Sequence, residues 1–295
     1  MSFGAAGGPV DMNDFVVPAN GVGICVESFG DSADPAIVLS HGAGNSMLSW
    51  HEELCARLAA GGRRVVRYDI RDAGRSVTYP PGAPPYGMRD LVADAVGILD
   101  ALGLETAHFV GLSLGGAIGQ LLALDHPDRI ATLTLAASTP GAPGHEDADL
   151  PGVTDELRAF FANEPAPPDW TDRAAVIEYI VESERPFAAR FDEAAMRELA
   201  VRVFDRAADI EANLTNVFAM DPGEPWRARL GALTVPTLIL HGTGDPMFRF
   251  AHAEALAREI PGAELIGLEP MGHEYFPPAT WDVVVPAILR HTSGK

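Results

Sequence analysis

Three side chains in this sequence have the types and the order to do acyl chemistry: Ser113, Asp245 and His273. A serine hydroxyl is a weak nucleophile near neutral pH, so it needs a base, and the base needs a group to orient it. Ser113 lies in Gly111-Leu112-Ser113-Leu114-Gly115. A β-like run, Ala107–Val110, leads into this stretch, and an apolar helix stopped by Pro127 leaves it. A sharp strand-to-helix turn has no room for side chains two residues either side of its apex, which calls for glycine at 111 and 115. Ser113 would then stand exposed at a helix N-terminus, whose partial positive charge and free N–H groups favour a developing oxyanion.

The partners of Ser113 are expected on loops that follow later strands. The β run Val235–Leu240 leads into His241-Gly242-Thr243-Gly244-Asp245-Pro246, and Ala263–Leu268 into Pro270-Met271-Gly272-His273. Asp245 could instead cap the next helix, and His273 could be a surface-loop histidine. His241 competes as base, yet it lies four residues before Asp245 on the same loop and could hardly reach Ser113 while Asp245 oriented it. Two backbone donors should complete the site: the Leu114 N–H, directly after the serine, and the Ala43 N–H in the His41-Gly42-Ala43-Gly44 turn.

Around these residues strand and helix signals alternate, which predicts a parallel sheet covered on both faces. An opening antiparallel strand is expected over Gly23–Phe29, buried strands over Ala36–Ser40, Arg64–Asp69 and Ile130–Ala136, and helices over Met47–Ala60 and Arg89–Leu102. The tail should close with a helix near Met247–Ile260, the strand Ala263–Leu268 and a helix Thr280–His291. The alternation breaks after Thr139-Pro140-Gly141 and resumes only at Val235, with helical character and no strand signal between. The division read from this is a core of residues 1–140 and 231–295 and an inserted helical cap of 141–230, folded over the Ser113 end of the sheet. Within the insert, Met196, Leu199, Ala200 and Val203 form an apolar stripe, with Glu193–Arg197 and Glu198–Arg202 as i,i+4 pairs on the other face.

The formal charge of −20, from 21 basic and 41 acidic side chains, argues against nucleic acid or an anionic membrane as partner. Lys295 is the only lysine. Cys25 and Cys55 fit no metal or disulfide pattern and read as buried thiols in a reducing cytoplasm. No metal and no cofactor is expected, and no nicotinamide, flavin or phosphate-loop fingerprint occurs. The start, MSFGAAGGPVDMND, lacks the pattern of a signal peptide and reads as a flexible leader. No apolar run has the length of a membrane span. The oligomeric state stays open, a homo-oligomer included.

With these motifs in order, the chain from about Gly23 onward resembles the α/β-hydrolase superfamily. The His-Gly turn, Tyr68-Asp69 with Gly74-Arg75-Ser76, Gly111–Gly116, Asp245-Pro246 and Met271-Gly272-His273 carry the resemblance. Arg67–Ser76 and Ala123–Arg129 look most like the aclacinomycin methylesterase group, whose members cleave a methyl ester on a polycyclic aromatic polyketide. The resemblance implies the α/β-hydrolase fold, a mostly parallel sheet with helices on both faces and a cap, and a serine esterase with Ser113, His273 and Asp245 as triad. A serine at 113 disfavours dehalogenase and epoxide hydrolase chemistry, which use a carboxylate. An aminopeptidase, a cofactor-free perhydrolase, a C–C bond hydrolase and an idle small-molecule binder on the same frame stay open.

The insert's Phe160, Phe161, Phe187, Phe191, Phe204, Phe218, Met220 and Trp226 exceed what a thin cap needs, and about a third are expected at the pocket. That favours a small-molecule ester with an uncharged, apolar acyl group. Glu211 and Asp221 remain candidates for holding a free amino group.

Overall fold

Runs of β-branched and aliphatic residues with no polar alternation make strands that are buried on both faces. Four such runs form the middle of the sheet. The computed structural model describes residues 14–141 and 147–294. Its strands are β1 (Asp14–Ala19), β2 (Val22–Phe29), β3 (Ala36–Ser40), β4 (Arg64–Tyr68), β5 (Ala107–Leu112), β6 (Ile130–Ala136), β7 (Thr237–Gly242) and β8 (Glu264–Leu268). They form one eight-stranded sheet in the order β1-β2-β4-β3-β5-β6-β7-β8. The β1–β2 and β2–β4 pairs are antiparallel, and every other pair is parallel.

Helices cover both faces. On one side lie α2 (Met88–Ala101), α3 (Leu114–Asp125) and α8 (Ala251–Glu259), burying Leu91, Ala95, Ile98, Ile118, Leu121 and Leu256. On the other lie α1 (Glu52–Ala60) and α9 (Trp281–His291), burying Leu54, Leu58, Val284 and Ile288. Between β6 and β7 come α4 (Asp155–Ala162), α5 (Arg173–Glu184), α6 (Glu193–Arg206) and α7 (Ile210–Ala219). These have their own core, in which Val176, Ile177, Ile180 and Val181 meet Ala200, Val203 and Ile210. No described helix is long and apolar enough to cross a membrane.

Three local readings of the sequence are corrected. Residues 1–13 of the expected leader lie outside the described residues, but its last residue, Asp14, opens β1. The β1–β2 hairpin turns through Asn20-Gly21, both at positive φ, the conformation a two-residue hairpin requires. The helix expected over Met47–Ala60 is interrupted. Met47–Ser49 makes a single 3₁₀ turn, Trp50 and His51 are extended, and α1 starts at Glu52. The cause is distant in sequence: the buried Arg67 guanidinium donates to the Trp50 carbonyl. In α6, Glu193–Arg197 forms at 3.3 Å, whereas Arg202 pairs with Glu52 of α1 rather than Glu198.

Arg206, in the last turn of α6, is the deepest charge that the insert sends into the sheet region. Its guanidinium meets the carboxylates of Asp69 and Asp14, all three side chains being nearly inaccessible to solvent. Asp69 also accepts the Met47 N–H (2.9 Å) and the Arg75 N–H (3.3 Å), so its charge is fully engaged. One buried cation thus joins the edge strand, the loop after β4 and the insert.

Candidate active site

Ser113 stands between β5 and α3 with φ 53° and ψ −111°, a left-handed backbone that a non-glycine residue adopts only under constraint. The constraint is close packing. A Cβ on Gly111 would overlap the Gly115 carbonyl, and one on Gly115 would overlap the Ser40 carbonyl of the neighbouring strand. The Ser113 N–H is held by the Ala136 carbonyl (2.9 Å), and the Ser113 carbonyl by the Ser138 hydroxyl (3.2 Å).

The structure brings all three side chains together. His273 Nε2 lies 3.0 Å from Ser113 Oγ, and His273 Nδ1 lies 2.9 Å from Asp245 Oδ2. Asp245 Oδ1 accepts the N–H groups of Met247 and Phe248, both at 2.8 Å. Burial works to raise the Asp245 pKa, but the charge and hydrogen bond of His273 and the nearby His241 outweigh it and hold the carboxyl well below the usual carboxylate range. Asp245 therefore does begin the turn toward α8, as a capping residue would, and serves the histidine with its other oxygen.

His241 does not approach Ser113. Its Nε2 donates to the Phe248 carbonyl (2.6 Å) and faces Asp245 Oδ2 at 3.3 Å, while its buried Nδ1 has no partner among the described residues. His41 is structural too: its Nε2 accepts the Ile70 N–H (3.1 Å), and its Nδ1 faces the Gly42 carbonyl (2.8 Å). Burial lowers the His41 pKa and keeps the ring neutral.

The turn after β3 lies beside the serine, because Ser40 pairs with Gly111. The Gly42 N–H there donates to the Tyr275 hydroxyl at 2.7 Å. With the Gly42 and Ser113 N–H groups so engaged, those of Ala43 and Leu114 donate to no backbone or side-chain acceptor among the described residues.

Aromatic rings enclose the histidine. Phe248 packs edge-on to His273 with ring centroids 5.1 Å apart, and Phe187 of the insert lies at 6.0 Å, with Phe161 beyond it at 6.2 Å. Of the other aromatics singled out, Phe191 and Phe204 pack into the insert's own core. Trp226 is buried in the main core, its Nε1 donating to Gln120 Oε1 at 3.0 Å, and Met220 joins the same cluster. Phe218 is exposed at 70% and lies against Gly44. The Asp221 carboxylate accepts the Gly223 N–H within its own turn.

Sequence reasoning missed Tyr275, Phe248, Glu274 and Glu184. Three of them flank the motif residues Asp245 and His273, and that adjacency was the available signal. Glu184 ends α5 half-buried; burial raises its pKa against the attraction of His273. Glu274 is raised by burial as well, although two N–H groups bind its carboxylate.

A strained serine on a strand-to-helix turn, a histidine–aspartate pair from the ends of later strands and this strand order define a class. The chain belongs to the alpha/beta hydrolase fold family, whose model matches residues 35–279. The chain is 34% identical over 283 residues to a rhodomycin D methylesterase of Streptomyces sp. (strain C5), covering 90% of this chain and 93% of that protein. It is 35% identical over 287 residues to the rhodomycin D methylesterase of Streptomyces peucetius, with the same coverage. Among solved structures it resembles the enol-lactonase from Burkholderia xenovorans LB400, at 25% identity and a TM-score of 0.70, over 94% of this chain and 98% of that one.

Proposed function

We propose that the chain is a carboxylic ester hydrolase working through an acyl-enzyme on Ser113. The observation that carries this is the unbroken chain Ser113 Oγ–His273–Asp245, with contacts of 3.0 and 2.9 Å. His273 Nε2 takes the serine proton as Oγ attacks the ester carbonyl, and the ionised Asp245 holds Nδ1–H and stabilises the imidazolium. The Ala43 and Leu114 N–H groups receive the oxyanion. His273 then protonates the departing alcohol, and in the second half of the cycle it activates water against the acyl-enzyme. We assign residues 1–140 and 231–295 to the hydrolase core and 141–230 to a cap that supplies Phe187 and Phe161 to the acyl side.

The substrate class is a methyl or other small-alcohol ester of a bulky, apolar, aromatic acid. The rings around His273 support this reading, as does the likeness to two methylesterases over nine-tenths of the chain. A fluorophosphonate should label Ser113, and Ser113→Ala should lower kcat by roughly 10⁶-fold. Label on another serine would refute the nucleophile. A higher kcat/KM on proline or alanine p-nitroanilides than on methyl esters of aryl acids would refute the substrate class.

A further inference from the structure

The loop that carries His273 is bound on one side by the insert and not only by its own strand. The His273 N–H donates to the Phe187 carbonyl at 2.8 Å. One oxygen of the next residue, Glu274 Oε1, accepts two N–H groups at 2.9 Å each: Gly272 from the histidine loop and Ala189 from the insert. The two segments touch so closely that a Cβ on Gly272 would overlap the Phe187 carbonyl and stand 2.9 Å from the Ala189 nitrogen. Glycine at 272 therefore serves this contact. Phe187–Ala189 belongs to the connection between α5 and α6, so the contact spans the insert and the proposed catalytic base.

We propose that Glu274 is a positioning residue that clasps the segment Phe187–Ala189 to the histidine loop, so that His273 is in register with Ser113 only when that segment is docked. This rests on the reading of His273 as the base. If the segment moves away, His273 loses its backbone acceptor and Glu274 keeps a single N–H donor. The imidazole is then anchored from the Asp245 side alone. A base displaced by about 1 Å can cost on the order of 10²-fold in rate. The clasp thus ties chemistry to closure over the acyl group and spares the site idle turnover when it is open.

The test compares Glu274→Ala, Glu274→Gln and Ala189→Pro in the full chain, with a short p-nitrophenyl ester as substrate. Glutamine keeps an oxygen at Oε1; proline removes the insert's donor. Ala188, at φ −83° and ψ 136°, already has the extended backbone that a following proline demands. Glu274→Ala should lower kcat about 10- to 100-fold while KM stays within about threefold, and Glu274→Gln should recover most of the loss. Ala189→Pro should reproduce the Ala phenotype, and it carries the test if Glu274→Ala does not fold. Trypsin should cleave after the exposed Arg190 at least about tenfold faster in the Ala and Pro variants, because cleavage requires local opening. A folded Glu274→Ala with native kcat, a Gln variant no better than Ala, or unchanged cleavage after Arg190 would overturn the clasp. Native turnover in His273→Ala would instead overturn the base, and the cleavage after Arg190 would still report on the clasp separately.

Discussion

Asp245→Asn should lower kcat on the order of 10⁴-fold, and the reason can be worked from the partners of each carboxylate oxygen. Oδ1 accepts two backbone N–H groups at 2.8 Å, and Oδ2 faces His273 Nδ1 at 2.9 Å and His241 Nε2 at 3.3 Å. An asparagine has one acceptor to offer. If its NH₂ took the Oδ1 place, it would oppose two fixed donors in a buried site, at about 1–3 kcal/mol for each unmade bond. The amide oxygen therefore goes there, and the NH₂ turns to His273 Nδ1. Nδ1 must now accept, so the ring proton sits on Nε2, 3.0 Å from Ser113 Oγ, where it blocks uptake of the serine proton. A 10⁴-fold loss corresponds to about 5.5 kcal/mol of transition-state stabilisation. Steady-state hydrolysis of a short p-nitrophenyl ester measures it, with circular dichroism showing that the variant is folded. A folded Asp245→Asn with kcat within tenfold of the native value would refute this account of the site.

Arg206→Met leaves Asp69 buried without its cation and Asp14 with Arg75 alone, which should cost about 3–5 kcal/mol, or roughly 5–8 °C in Tm for a chain of this length; calorimetry showing a fall under about 2 °C would contradict it. Phe187→Ala keeps the clasp's backbone and removes the ring beside His273, so kcat/KM on an aryl methyl ester should fall about three- to tenfold more than on an acetate ester. Stability should decline as pH falls from about 6.5 to about 4. Burial, aided by the charges of Arg63 and His291, lowers the His108 pKa to about 4, so in this window the unfolded imidazole takes up a proton that the folded one refuses. His108 should contribute about 3 kcal/mol of that loss and nothing above pH 7. Urea midpoints against pH should therefore show a shallower acid slope in His108→Asn; an unchanged slope would count against the assignment.

The central strands were legible because each is a short run dominated by apolar and β-branched residues, and the serine turn because its glycines are forced by overlap with neighbouring backbone. The order Ser113, Asp245, His273 was legible since each follows a strand. What escaped was decided by groups distant in sequence. β1 escaped because Pro18 reads as a strand breaker, a residue that only an edge strand such as this one tolerates, with Phe15 and Val16 there 45% and 58% exposed. Apolar spacing carries a helix through Trp50, and only the Arg67 guanidinium shows why it stops. Glu198 and Arg202 stand one helical turn apart, yet Glu52 of another helix offers Arg202 the nearer carboxylate. At the site, motif reading finds the three side chains that the structure brings together. Glu274 and Tyr275 escape it because they act on backbone N–H groups, whose positions no spacing rule encodes.

The burial of Arg206 has a consequence for the order in which the chain matures. Asp14 lies 192 residues ahead of it and Asp69 lies 137 ahead. During synthesis both carboxylates leave the ribosome long before the Arg206 guanidinium exists; Asp14 can meet Arg75 in the meantime, but among the described residues Arg206 is the ion-pair partner of Asp69. Strands β1 to β6 can pair early, but Asp69 cannot be buried at low cost until α6 has been made. The loop after β4 should consequently stay open to water for most of translation and close once α6 has been made. A nascent chain halted before residue 206 is expected to expose that patch to chaperones, whereas one halted after α7 has emerged is not.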